Sequence, residues 1–327
     1  MNLLLARHRL ILGIAIAAAV LLLRPSAAHA LNCTFSVEDV AFGNVDTLAG
    51  TAVDVTADID ISCVDILLVG VRICPYLGNG TGGRDASARY MQGPSTTLAY
   101  QLYTDAARTN VWGDPNLGFG TWPTVDFTGS LFGRSDSTTL TIYARVLGGQ
   151  SPVPAGAYTS LFTAAHTRFN WGVNLLGSGS CGALQLLLNT SNPTFDVTAN
   201  VEKNCLLTAD DIDFGTHGVL SADVTSEGAV TLECTPETDY SVALDNGNTG
   251  TGPTARKMVM GAEDITYGLY KDSGHTQPWG DSGTPGSALE GSGTGAEEVI
   301  PVYGQVPSQP TPPPGDYTDS VIATVTY

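Results

Sequence analysis

The chain has 327 residues, a length that suggests two domains, each large enough to bury its own core. It carries 14 basic and 32 acidic residues, for a net charge of −18. A surface this acidic repels phosphate backbones and anionic lipids, which argues against nucleic-acid binding and against docking on a membrane.

The first 30 residues have the pattern of a secretory signal peptide. A basic start at residues 7–9 precedes an apolar run at residues 10–23, which is short for a membrane span. The stretch Ala28-His29-Ala30 then provides a small-x-small cleavage site. Cleavage before Leu31 would leave 11 basic and 32 acidic residues, a net charge of −21 and no membrane span in the mature chain. A retained membrane anchor is the alternative.

All six cysteines follow the predicted signal peptide, and an even number in an exported chain indicates disulfide bonds. No Cys-x-x-Cys pair is present, so the spacing of zinc ribbons and thioredoxin-type sites is missing. His217 and His275 lie in separate predicted loops, and the acidic pairs lack the glycine and terminal glutamate of a calcium loop. We therefore expect no metal site and no cofactor.

Residues 53–61 show the alternation of a half-buried β-strand. Its apolar face consists of Val53, Val55, Ala57, Ile59 and Ile61. Further strands rich in β-branched and aromatic residues are predicted at 140–147, 229–234 and 318–327. Clusters of glycine, proline, asparagine and serine separate them, and no sustained helical period follows the signal peptide. The sequence therefore predicts an all-β protein.

The chain contains two copies of one domain. The first copy opens at Cys33 and reaches a second cysteine 30 residues later, and the second opens at Cys205 and reaches its own 29 residues later. The other matched landmarks, in the same order, are Phe42-Gly43 with Phe214-Gly215, 88–91 with 255–258, 100–103 with 267–270, 112–114 with 279–281, and 156–159 with 315–318. Short strands at this spacing predict a β-sandwich in each copy.

The repeat also predicts the disulfides. Cys33–Cys63 and Cys205–Cys234 occupy equivalent places, which leaves Cys74 and Cys181 to pair with each other. Counting strands from the linker, however, sends Cys74 to the inner end of the first domain and Cys181 to the outer end, which conflicts with that pairing.

The second copy ends one strand too early. Its last predicted strand, residues 316–327, runs to the final residue, whereas the first copy continues for 36 residues beyond the equivalent point. An immunoglobulin-like sandwich needs one more strand at that edge, so a partner must supply it. In the first copy the alternating segment 195–202 is read as that strand, supplied in cis. The segment 183–189 is the competing candidate, and the sequence does not separate the two.

The order Cys…Phe-Gly…Cys…Tyr-x-Leu-Tyr…Gly-Asp-Tyr-x-Asp-x-(apolar) resembles the spore-coat-U-like family, which includes subunits of archaic (Csu-type) chaperone–usher pili. The resemblance covers both copies. It implies two tandem immunoglobulin-like β-sandwich domains, at 31–192 and 193–327, the C-terminal one lacking its last strand. It also implies partners: a periplasmic chaperone and later the adjacent pilus subunit would each donate that strand, and an outer-membrane usher would carry the protein to the cell surface.

Only Leu31 and Asn32 stand between the predicted cleavage site and Cys33, so the mature chain has no donor segment of its own. The resemblance then implies the pilus tip, and an adhesin that binds host or abiotic surfaces. A non-adhesive structural coat or pilus subunit is the alternative.

The first copy carries extra apolar residues on glycine-rich loops, which we predict to form a surface-binding patch at its outer end. The candidates are Leu117, Phe119, Trp122, Val125, Phe127, Leu131, Phe132, Phe169, Trp171, Val173, Leu175 and Leu176. The alternative is that these side chains pack beneath the loops as a satellite core.

Two fragments imitate a trypsin-like serine hydrolase. Residues 163–166 resemble the surroundings of a catalytic histidine, and Gly280-Asp281-Ser282-Gly283 resembles a nucleophile loop. The repeat argues against catalysis, because it aligns His166 with Val325, give or take a residue, on an ordinary strand, and places Ser282 in the other domain. We expect no enzyme.

Overall fold

The computed structural model describes residues 31–66, 70–174, 181, 189–281, 283 and 287–327. The predicted signal peptide at 1–30 and the candidate residues Leu175 and Leu176 lie outside the described residues, as does Ser282. In the described part the chain is nearly all β, with one 3-10 turn at Pro115–Leu117. The all-β prediction is confirmed.

Strands β1 to β12 form the first sandwich. They are β1 Asn32–Val37, β2 Val40–Val45, β3 Val53–Val64, β4 Gly70–Leu77, β5 Arg89–Gln92, β6 Thr97–Tyr103, β7 Val125–Phe127, β8 Asp136–Val146, β9 Gly156–Phe162, β10 Thr167–Asn174, β11 Asn189–Ser191 and β12 Phe195–Val201. One sheet has the order β1-β3-β8-β6-β5-β9-β12-β2 and the other β11-β10-β4-β7. The alternation predicted for 53–61 is confirmed, since Ala57, Ile59 and Ile61 of β3 face the core between the sheets.

Strands β13 to β20 form the second sandwich. They are β13 Cys205–Ala209, β14 Val224–Cys234, β15 Asp239–Leu244, β16 Arg256–Met260, β17 Glu263–Tyr270, β18 Leu289–Ser292, β19 Glu298–Val306 and β20 Ala323–Thr326. The sheets have the orders β13-β14-β19-β17-β16 and β18-β15-β20. Both sheets enclose a separate core around Trp279, Val242 and Leu232.

The repeat extends to individual hydrogen bonds. Arg89 and Arg256 are fully buried, and each guanidinium donates to carbonyl oxygens of the preceding strand and of the next tryptophan, Trp112 or Trp279. Each indole N–H in turn donates to a backbone carbonyl oxygen of the same preceding strand, over 2.9 Å. An arginine can be buried at this depth because its donors are paired.

Strand pairing defines two ends of the first sandwich. At the end that we call the inner pole, the N–H of Glu202 in the linker donates to Val45 O over 3.1 Å. The chain returns from there into β3, which begins at the Val53–Val146 pair. Ten residues further along β3, about 33 Å at the rise of a strand, Cys63 pairs with Asp136. We call that end the outer pole.

The three predicted disulfides, Cys33–Cys63, Cys205–Cys234 and Cys74–Cys181, are present. The placement of Cys74 at the inner pole is wrong. Strand β4 begins at the outer pole, where Gly70 pairs with Asn174, and Cys74 lies in mid-strand opposite Asn170. From there its side chain reaches Cys181.

Two predicted boundaries shift. Strand β12 belongs to the first sandwich, so a domain boundary at 192/193 falls too early and the linker is 202–204. The predicted last strand 316–327 is divided, because Ile322 N donates to Asp245 Oδ1 and Ile322 O accepts from Asp245 N. At these bonds the chain crosses from the five-stranded sheet to the sheet of β15, where it continues as β20.

Candidate functional site

In the first sandwich, β12 fills the gap between β9 and β2. It pairs antiparallel with β9 and parallel with β2. Its inward side chains, Phe195, Val197, Ala199 and Val201, are all buried in the core. The expectation that 195–202 completes the first domain in cis is confirmed, because Asn189 of the competing segment pairs with β10 in the other sheet.

Within the described residues, the second sandwich has both neighbours of that strand but not the strand itself. Aligning Cys205 with Cys33 makes residues 212–217 the counterpart of β2, and the Val259–Thr318 bridge makes 315–321 the counterpart of β9. We call these segments rail one and rail two. Neither is a regular strand, and among the described residues no hydrogen bond joins one rail to the other. On rail one, Asp213 O bonds to Ser226 Oγ and Phe214 O to His217 Nε2, so an added strand would pair with the remaining backbone groups of the two edges.

A groove of about 540 Å³ separates the two rails. Apolar side chains of both sheets form its floor, where Tyr267 and Phe214 stand in the places of Tyr100 and Phe42. The apolar residues that line it are Ala209, Ile212, Phe214, Ala229, Val230, Leu244, Met258, Tyr267, Leu269, Val302, Tyr317, Val321 and Ala323. In the first sandwich β12 covers the equivalent surface.

One wall of the groove carries a carboxylate. Asp319 stands where the first sandwich has Ser160, a buried residue of β9 that pairs with Val197 of the neighbouring strand β12. Asp319 Oδ2 accepts a hydrogen bond from Tyr267 Oη over 2.8 Å, and Asp319 Oδ1 accepts one from Asn248 N over 2.9 Å. Burial raises the pKa of Tyr267, and the hydrogen bond to Asp319 raises this pKa further, so the phenol keeps its proton and donates.

The outer pole of the first sandwich exposes an apolar turn. Leu131 and Phe132 join β7 to β8 and are 73% and 95% exposed. The turn is held by Gly133 N to Ser130 O and by Ser130 N to Ile66 O, at 3.3 and 3.2 Å. We call Leu131 and Phe132 the apolar tip.

Other predicted surface residues are not exposed. Val125, Phe127, Phe169 and Trp171 are buried, so the expectation that they form an exposed patch is wrong. They lie on β7 and β10, whose alternate side chains pack into the core, as in the edge-to-face contact of Phe169 with Phe35 at 5.3 Å.

The long loop before β7 forms a satellite core, as the alternative interpretation predicts. Trp122 packs edge-on against Tyr76, with ring centroids 5.5 Å apart, beside the Cys74–Cys181 disulfide. Phe119 lies beneath the guanidinium of Arg84, 3.9 Å from its ring centroid.

Leu117 and Val173 remain partly exposed, at 48% and 46%. Of the described candidates, the structure therefore leaves Leu131 and Phe132 as the most exposed.

The described histidines, His166, His217 and His275, lie in separate loops. His166 lies in the turn between β9 and β10, and its structural counterpart is Ile322, not Val325, because Gly78 N donates to His166 O as Asp245 N does to Ile322 O. Among the described residues no group of three or more histidine, cysteine or acidic side chains could hold a metal ion.

The described part of the chain also has no helix long and apolar enough to cross a membrane.

The acidic residues on the rails were not predicted as site residues, because the matched landmarks mark only where the two copies agree and these positions differ between them. Asp213 and Asp316 replace Ala41 and Ala157 of the first copy. A residue-by-residue alignment of the two copies would have found them.

The model of the Spore Coat Protein U domain matches residues 18–165 and again 191–324. The two matches cover most of the chain. The chain belongs to the Spore Coat Protein U domain family. The resemblance inferred from the cysteine, tyrosine and glycine motifs is confirmed, and each match contains one of the two repeated disulfides, Cys33–Cys63 or Cys205–Cys234.

Two comparisons extend this assignment. "Protein U" of Myxococcus xanthus is 30% identical over 129 residues, which cover 36% of this chain and 71% of that protein. The fold is similar to a chain of the CsuC–CsuE chaperone–tip adhesion subunit pre-assembly complex from archaic chaperone-usher Csu pili of Acinetobacter baumannii. That match has a TM-score of 0.53 and 16% identity, and covers 90% of this chain and 100% of the other. It supports the two-domain immunoglobulin-like fold.

Proposed function

We propose that this Spore Coat Protein U domain chain is a chaperone–usher pilus subunit whose second domain is completed by a strand from a partner. The observation that carries the proposal is the groove between the two rails, because the first domain holds its own β12 in the equivalent place. A periplasmic chaperone would donate the strand first, and the adjacent subunit would replace it after passage through the outer-membrane usher.

The first domain indicates what such a strand must provide. The four inward side chains of β12 are almost fully buried, and burial of a valine or phenylalanine contributes about 1.5–3 kcal/mol. Backbone hydrogen bonds to both rails would add to this. Without a strand, the groove floor and two unpaired edges face water, a surface that favours aggregation.

We further propose that the protein sits at the pilus tip and adheres through the first domain. The apolar tip of Leu131 and Phe132 lies at the outer pole, far from the linker. Exposed apolar side chains on a short, hydrogen-bonded turn are suited to contact with apolar host or abiotic surfaces. The similar fold in the Csu complex, described as a chaperone with a tip adhesion subunit, supports the same placement.

Strand acceptance is tested by co-expressing the chain with candidate periplasmic chaperones and by adding a peptide of alternating apolar residues. We expect a large gain in soluble, cooperatively melting protein. Val321→Arg, on the groove wall, should abolish the gain, whereas Leu206→Arg, on an exposed strand outside the groove, should not. A chain that folds alone as a stable monomer, indifferent to chaperone and peptide, would refute the proposal.

Adhesion is tested on the chaperone-bound chain with apolar and hydrophilic beads. The double variant Leu131→Ser, Phe132→Ser should lose most of the binding to apolar beads. Leu161→Ser, which changes an exposed leucine on β9, is the matched control and should retain it. If the double variant binds as well as the control, a non-adhesive structural subunit is the better description.

A further inference from the structure

We propose that the strand which fills the second domain carries cationic side chains on its solvent-facing side, and that acidic residues on the two rails select it. The inference rests on the proposed strand acceptance and names the chemistry of the partner. It follows from comparing the surroundings of β12 with those of the empty groove.

The outward-facing residues of β12 define three positions. In the first domain Asp196 lies beside Leu161, Thr198 lies between Ala41 and Thr159, and Asn200 lies opposite Ala157. The Asp196 N–H also donates to Asp39 Oδ1 over 2.8 Å, which fixes the beginning of β12 against β2.

In the second domain each of these positions has an acidic neighbour. Asp211 takes the place of Asp39, Asp213 that of Ala41, and Asp316 that of Ala157. All three are exposed, and within the described residues none forms an ion pair with lysine or arginine. Asp211 is thus placed to accept the first backbone N–H of the incoming strand, as Asp39 does.

The other two acids have no counterpart in the first domain and make the rails negative. A strand with lysine or arginine at the positions of Thr198 and Asn200 would place each cation beside Asp213 or Asp316. Because opposite charges on neighbouring strands attract and like charges repel, the rails would favour a basic strand.

The same arrangement discriminates against the protein's own β12. That strand has Asp196 on its outer side and no lysine or arginine within Phe195–Val201. Inserted into the second domain of another copy, it would bring further negative charge next to Asp211 and Asp213. The charge pattern therefore disfavours chains that complete one another.

The experiment uses fluorescent peptides with the sequence of residues 194–202 and refolds the full chain from denaturant with each of them. One peptide carries Thr198→Lys and Asn200→Lys, and its neutral partner carries Thr198→Gln and Asn200→Gln. We expect the lysine peptide to bind about tenfold tighter at low ionic strength, and the ratio to shrink as salt is raised.

The matched protein variant is Asp213→Ala, Asp316→Ala, which recreates the rails of the first domain. It should bind both peptides equally, whereas Glu290→Ala, an exposed acid on β18 outside the groove, should keep the preference. Equal binding of the two peptides to the unchanged chain, or a preference that survives the double variant, overturns the inference while strand acceptance stands. If no peptide binds at all, strand acceptance fails as well.

Discussion

Replacing Phe195 with alanine should unfold the first domain selectively. Phe195 is buried at the start of β12 and stacks on Phe162, with ring centroids 4.4 Å apart and an angle of 16° between the ring planes. Removing a buried phenylalanine typically costs about 3–5 kcal/mol, the lost stacking included. Since a domain is typically stable by only about 5–15 kcal/mol, this loss is a large fraction of the total.

The effect should be confined to the domain that β12 completes. Hydrogen exchange read by mass spectrometry, with a peptide occupying the second domain, would report both domains in one sample. We expect amides of β2, β9 and β12 to lose protection, while β14 and β19 keep theirs. Thr198→Ala changes an outward side chain of the same strand and should cost less than about 0.5 kcal/mol. A loss below about 1 kcal/mol for Phe195→Ala, or equal losses in both domains, would refute this account of β12.

Three further predictions follow from other contacts. Arg256→Met should destabilise the second domain by several kcal/mol in urea unfolding, because it leaves carbonyl oxygens buried without donors. An unchanged midpoint would contradict this. Replacing Cys74 and Cys181 together by alanine should cost about 2–4 kcal/mol in the first domain, measured in the same way against unchanged protein with its disulfides intact. The hydrogen bond from Arg145 holds the pKa of Asp54 below its usual value. The ionised Asp54 therefore stabilises the fold above about pH 4, and this stabilisation is lost as the pH falls through the lower pKa of the folded state. Asp54→Asn should flatten the acid limb of a stability–pH curve.

Much of the fold could be predicted because the chain contains its own comparison. The two cysteine pairs and the matched tyrosine, tryptophan and glycine landmarks locate equivalent strands in both copies. The alternation of Phe195 to Val201 also identifies β12. These signals are local patterns or ordered repeats, which a sequence displays directly.

The surface could be predicted much less well. Composition marked Phe169, Trp171 and Phe127 as loop residues, but they lie on strands with buried inner faces. An isolated apolar side chain has the same appearance in the sequence whether it faces solvent or a neighbouring sheet. Trp122 and Phe132 lie on the two sides of the short strand β7, yet Phe132 is exposed and Trp122 packs on Tyr76. Only tertiary packing separates them.

The short linker gives the molecule a particular mechanical character. Strand β12 passes through only three residues, 202–204, into β13, and Asn204 Nδ2 donates to Asp46 Oδ2 over 2.8 Å across the junction. A pull applied at the second domain is therefore transmitted straight along the axis of β12. The hydrogen bonds of β12 to β9 and β2 lie across that axis, so they share the load and must fail together rather than one after another. The strand that completes the first domain is thus also its tether, loaded in shear.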